Sequence, residues 1–120
     1  MRGFVDLHCH FLPSIDDGVR SEDDGVRLLR ALHRVGFEHV VATPHIRTAM
    51  FDNRAEGLRS AFATMQLRLE AERGRSGEEG PLPAVSLAAE HFFDDVAYRL
   101  LMSGQGLPYG VGRAVLIEFS

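Results

Sequence analysis

The chain has 120 residues, 45% hydrophobic and 25% charged, ordinary values for one globular domain that set disorder aside. Its net charge of −4, with no basic stretch, counts against nucleic acid as an electrostatically held partner. A single cysteine, Cys9, rules out an intrachain disulfide and fits a reducing, cytoplasmic setting. No apolar run approaches the roughly 18–20 residues of a membrane span, so no insertion into a membrane is expected. The N-terminus carries no signal-peptide pattern, because a ligand-rich segment begins almost at Met1.

Gly3–His10 reads as the first strand, followed by a loop over Phe11–Gly18. A strand has a side-chain period of two, so Asp6, His8 and His10 share one face while Val5, Leu7 and Cys9 share the other. Two imidazoles about 6–7 Å apart at their Cα atoms can close on one metal ion. Ser21 is placed to cap a helix, with Asp24 three residues on in a capping-box position. The apolar face of that helix is Val26, Leu28, Leu29, Leu32 and Val35, and Gly36 is its stop. Phe37–Thr43 is the second strand, ended by Pro44, with His45 at its C-terminal end. Asp52 or Asn53 caps a long helix to about Arg73, with Leu58, Phe62, Met65, Leu69 and Glu72 along one side. A Gly/Pro-rich loop, Gly74–Pro83, leads to the third strand, Ala84–Glu90. Asp94 caps a short helix over Asp95–Met102 that stops at Gly104, and a second Gly/Pro-rich loop leads to the fourth strand, Arg113–Phe119. Strands alternating with helices predict an α/β fold with a parallel sheet.

Every predicted strand delivers a nitrogen or oxygen donor at its C-terminal end: His8 and His10, then His45, Glu90 and Glu118. In parallel α/β folds that edge is where sites assemble. Glu90 and Glu118 follow apolar runs, and a carboxylate there is costly to bury unless it is paired or bound to a metal. Taken singly, each has an ordinary explanation: a hydrogen-bonded structural histidine, a capping carboxylate, an Asp-Asp-Gly turn at Asp16–Gly18. That ordinary reading is preferred for His33, His39 and His91. Together the donors point to a metal site of histidine and carboxylate, suited to manganese, iron or zinc, and to hydrolysis of phosphate esters by metal-bound hydroxide.

Asp6-Leu7-His8-Cys9-His10-Phe11-Leu12-Pro13, Asp16-Asp17-Gly18, Ala42-Thr43-Pro44-His45, Ala89-Glu90 and Val115-Leu116-Ile117-Glu118-Phe119, in that order, resemble the polymerase-and-histidinol-phosphatase (PHP) superfamily. Within it, the chain is similar to the bacterial manganese-dependent protein-tyrosine phosphatases of capsular and exopolysaccharide systems. The resemblance implies a TIM-like distorted (β/α)7 barrel with a trinuclear metal centre at its C-terminal rim. It implies hydrolysis of phosphotyrosine on a membrane-bound tyrosine autokinase that controls polysaccharide export. His8, His10, Asp17, His45, Glu90 and Glu118 match the family's metal ligands, with Glu90 as the bridging carboxylate. Arg47, just after His45, could contact phosphate or be a solvated loop residue. Residues 1–120 match the N-terminal half of the family's phosphatase domain, so the later His, the Asp-x-His pair and a phosphate-binding Arg are expected beyond Ser120. An open sheet edge at the first or fourth strand is expected, with homo-oligomerisation as one consequence. Two other expectations are a different PHP phosphoesterase, such as a histidinol-phosphate phosphatase, and a non-catalytic metal-binding half-barrel.

Overall fold

The computed structural model describes residues 3–75 and 79–120. Residues 76–78 of the predicted Gly74–Pro83 loop lie outside the described residues. The elements run β1 (Phe4–Cys9), α1 (Glu22–Arg34), β2 (Phe37–Ala42), β3 (His45–Ile46), α2 (Ala55–Arg73), β4 (Ala84–Leu87), β5 (Glu90–Phe92), α3 (Asp95–Met102) and β6 (Leu116–Glu118). All paired strands are parallel, as the alternation predicts.

The second strand ends before Pro44 as expected, but the chain restarts at His45 in a short strand the sequence did not reveal, and the predicted third strand is divided in two. β2 stops at Ala42 and β3 starts at His45; β4 stops at Leu87 and β5 starts at Glu90. The strands therefore form two three-stranded sheets, β1-β2-β4 and β3-β5-β6. The division has a local cause at Pro44, which has no N–H to give a ladder. The breaks lie side by side and remain bonded: Ala88 N donates to Ala42 O at 2.8 Å, and Glu90 N donates to Pro44 O at 2.9 Å. Thr43 replaces ladder bonds with its own, donating from its backbone to Cys9 O and accepting from Cys9 N at Oγ1. His45 and Glu90 thus open a second short strand rather than closing the first. β1 and β6 pair on one side only among the described residues, and Phe4, Val5, Leu7 and Phe119 are exposed there.

Helix ends follow local chemistry. Ser21 Oγ accepts from Asp24 N, and Asp94 Oδ1 accepts from Ala97 N, each satisfying an orphan donor of the first turn. The reciprocal half of the capping box is absent, because the Asp24 carboxylate pairs with Arg27 instead. Gly36 ends α1 at φ +111°, where a side chain would be strained. The cap of α2 is Arg54, with no side-chain bond, rather than Asp52 or Asn53. Asp52 is engaged by Ala49 N, and Asn53 reaches across to two other segments.

One core joins Cys9, Phe11 and Leu12 to Val26 and Leu29 of α1, Val40 and Ala42 of β2, and Met65 and Leu69 of α2. A second lies under β3 and β5 and includes Ile46, Leu58, Ala89, Leu100 and Leu107. Val35, expected on the apolar face of α1, is exposed, because it sits past the last turn at the C-cap. His91 is a structural residue, its Nδ1 donating to Leu116 O and its Nε2 accepting from Leu107 N. His39 bonds Ser86 on the neighbouring strand, and His33 is half-buried on the last turn of α1.

Candidate metal centre

The strand breaks determine where the donors meet. His8 ends β1 beside Cys9, His10 follows it, His45 opens β3, Glu90 opens β5 and Glu118 ends β6. In β3, β5 and β6 the register aligns His45 with Glu90, and Phe92 with Glu118. The loop after β1 folds back, with Val19 N donating to His10 O, and so brings Asp17 over the strand ends.

All six residues expected to ligate metal come together. They form three overlapping groups: His8, His10 and Glu90; His10, Asp17 and His45; His45, Glu90 and Glu118. Within each group the donor atoms lie within 4.8 Å of one another. Glu90 Oε1 is 2.8 Å from His8 Nε2 and 3.1 Å from His10 Nε2. Asp17 Oδ1 is 3.2 Å from His45 Nε2, and Glu118 Oε2 is 3.4 Å from His45 Nδ1. His45 and Glu90 are buried, whereas His8 and Asp17 open to solvent. The His10 ring stacks on His45 at 4.6 Å between centroids, and His45 stacks on Phe51 at 5.2 Å.

This donor set fits a cation on two observations. Among the described residues, His45 Nδ1 is buried without a hydrogen-bond partner, facing the Glu90 and Glu118 carboxylates. A buried orphan nitrogen beside two carboxylates is costly unless a positive ion takes its lone pair. The carboxylates themselves are driven apart. Burial and the neighbouring Glu90 push Glu118 above the usual carboxylate range. Burial also opposes ionisation of Glu90, but its bonds to His8 and Glu118 hold it below that range. Two acids this close do not both ionise comfortably without a cation between them. Cys9 lies on the other side of β1, in the core, and burial followed by the charge of Asp6 pushes its thiol up to about 12. It is not a ligand. Asp6, on the His8 face by alternation, accepts from the His8 backbone N–H instead.

Arg47 is not a freely solvated loop residue. Its guanidinium carbon lies 3.9 Å from the centroid of the Phe92 ring, and Nη1 is 3.5 Å from Glu118 Oε1. Two further residues escape the sequence reading. Asp16, left without a role beside Asp17, has a fully buried side chain that accepts from His10 Nδ1, Gly18 N and His45 N. Burial opposes its charge, but those bonds hold its carboxyl below the usual range. Asn53 donates from Nδ2 to Ile15 O and His45 O. The Asp-x-Gly spacing of Asp16 and Gly18 is an Asx-turn signal that marks Asp16 as the turn's own acceptor.

The family model of capsular polysaccharide synthesis proteins, CpsB/CapC, matches residues 4–120. The chain is 35% identical over 68 residues to tyrosine-protein phosphatase YwqE of Bacillus subtilis, covering 57% of this chain and 27% of that one. It is 28% identical over 116 residues to tyrosine-protein phosphatase CpsB of Streptococcus pneumoniae, covering 97% and 45%. A chain from the crystal structures of YwqE and CpsB, described as unique metal-dependent tyrosine phosphatases, superposes with a TM-score of 0.82 at 28% identity, over 98% of this chain and 44% of that one. The chain therefore spans less than half the length of the curated relatives it matches. With its parallel α/β fold and its rim of histidine and carboxylate donors, it belongs to the CpsB/CapC family of capsular polysaccharide synthesis proteins.

Proposed function

We propose that residues 1–120 are the N-terminal half of a PHP-type phosphatase domain that hydrolyses phosphotyrosine on a protein substrate. The observation that carries the reading is the three donor groups sharing His10, His45 and Glu90 at one rim, in a chain of this family. His8, His10, Asp17, His45, Glu90 and Glu118 would hold the ions, manganese by the resemblance, with iron and zinc also suited to the donor types. The resemblance implies three ions with Glu90 as the bridging carboxylate, and Glu90 is the carboxylate that two of the groups share. When bound, such ions supply Lewis acidity that activates water and draws charge from phosphoryl oxygens. Arg47, held over the Phe92 ring and tethered by Glu118, would offer donors at the rim to a phosphoryl oxygen. The substrate would be a membrane-bound tyrosine autokinase of a polysaccharide-export system, met from the cytoplasmic side. Among the described residues, no helix is long and apolar enough to cross a membrane.

The test is hydrolysis of a phosphotyrosine peptide by the full-length protein, compared with histidinol phosphate as the substrate of the other PHP branch. Turnover is expected to need manganese, to be lost on chelation, and to fall to background in the His45→Ala, Glu90→Ala double variant. Activity that survives chelation and the double substitution would rule the reading out. Preference for histidinol phosphate would move the protein to the other branch.

A further inference from the structure

We propose that Asp16 is the positioning residue of the metal centre, its buried carboxylate fixing His10 with the proton on Nδ1 while holding the segments that present Asp17 and His45. The inference rests on the reading of the rim as a metal site. Asp16 Oδ2 accepts from His10 Nδ1 at 3.0 Å and from His45 N at 3.1 Å, and Oδ1 accepts from Gly18 N at 2.9 Å. The Asp16 side chain has no exposed surface. One carboxylate therefore touches the ring of one donor residue, the backbone of a second, and the turn that bears a third.

An ionised carboxylate offers only lone pairs, so the shared proton lies on His10 Nδ1. His10 Nε2 is then the nitrogen left to serve a cation, and it is the one aimed at the rim, 3.1 Å from Glu90 Oε1. Among the described residues, Asp16 is the partner that meets Nδ1, as Glu90 meets Nε2. The stack on His45 sets the plane of the His10 ring, but turning the ring by half a revolution about Cβ–Cγ keeps that plane and exchanges the nitrogens for carbons. A directional acceptor beside Nδ1 distinguishes the two orientations, and in a centre where Nε2 serves a cation it is this partner that sets tautomer and basicity. Asn53 pins the same junction from the far side, joining Ile15 O, the carbonyl preceding Asp16, to His45 O.

The test uses the full-length protein with Asp16→Ala and Asp16→Asn. In the metal-free wild type, ring 15N shifts of His10 are expected to report a proton held on Nδ1, with the Asp16 carboxylate as its acceptor. Asp16→Ala is expected to release the ring toward the Nε2–H form that free imidazole favours. Manganese titrated calorimetrically should bind about 10–100-fold more weakly. Asp16→Asn keeps the side chain's shape but lacks the second acceptor oxygen. It guards against an alanine variant that does not fold, and it should shift the Nδ1 resonance and weaken manganese binding about tenfold. Unchanged ring shifts, or manganese binding within twofold of wild type in the folded variants, would overturn the proposal. If the wild type bound no manganese, the metal-site reading would fail, while the ring shifts would still decide what Asp16 does.

Discussion

Gly18 offers a sharp probe of the site, because its substitution acts by contact and removes no donor group. A methyl group built on Gly18 would lie 2.3 Å from His10 O and 2.6 Å from His10 Cβ. Carbon contacts are comfortable near 3.5–4.0 Å, so the two segments must separate by about 1 Å. The turn cannot simply move aside. Gly18 N is bonded to Asp16 Oδ1 at 2.9 Å, and Val19 N to His10 O at 3.2 Å, so relief either breaks those bonds or displaces His10. Metal–ligand distances tolerate about ±0.2 Å, several times less than the required shift. Gly18→Ala is therefore expected to weaken manganese binding about 10–100-fold, the scale seen when the support of a ligating histidine is lost. The fold should persist, since Gly18 belongs to neither apolar core. Calorimetric manganese titration, with far-UV circular dichroism as the fold control, reads this directly. Wild-type manganese affinity in Gly18→Ala would show that the turn does not constrain His10, and the argument from contact would be wrong.

Leu29 is fully buried between α1 and the first sheet, so Leu29→Ala should cost about 2–5 kcal/mol in urea denaturation, and a loss below about 1 kcal/mol would contradict the core assignment. Cys9 is expected to resist alkylation in the native state, since a thiol pushed up to about 12 is ionised in roughly one molecule in ten thousand at pH 8. The sign of its linkage follows: the folded value lies above the ordinary 9.0, so the stability contributed by the neutral thiol is fully present below about pH 9 and lost as pH rises toward 12. Alkaline denaturation of Cys9→Ala should lack that component, and its phosphatase turnover should persist if hydrolysis is metal-dependent rather than cysteine-based. Arg47→Lys keeps the charge but loses the guanidinium held over Phe92, so weaker inhibition by inorganic phosphate and a KM raised about tenfold are expected, with manganese affinity little changed.

The parts of this fold legible in the sequence are those fixed by one residue acting on its neighbours. Ser21 and Asp94 cap helices because a short acceptor before a helix has an orphan N–H three residues ahead of it. Gly36 stops α1 because only glycine takes its backbone angle without strain. The six candidate donors are legible for a related reason: imidazole and carboxylate carry their chemistry wherever they fall, and parallel strands gather their ends at one edge. What escapes the sequence depends on partners far along the chain. Asn53 looks like a helix cap until the loop after β1 arrives to offer Ile15 O. Asp16 and Asp17 are the same residue type on one turn, and only the approach of His45 N, 29 positions later, shows which is turned inward.

The stop at Pro44 is legible in the sequence, but the restart at His45 and the matching break at Ala88–Ala89 are not, because both depend on the neighbouring strand. A continuous second strand through Pro44 would leave its neighbour an unmet acceptor and carry His45 along the ladder's own alternation. Breaking both strands at matching heights, Thr43–Pro44 beside Ala88–Ala89, lets the chain restart with His45 and Glu90 in register as the first pair of a new sheet. Thr43 makes that break affordable by bonding Cys9 from both its backbone and its hydroxyl. The donors at the rim thus owe their convergence to a fault in the sheet, and substitutions that repair the fault should disperse the site. Pro44→Val restores the missing N–H and a β-branched side chain at the break. If the fault is what aligns His45 with Glu90, that variant will hold or gain thermal stability while losing manganese affinity. A variant that binds manganese as tightly as the wild type would place the cause of the convergence elsewhere in the chain.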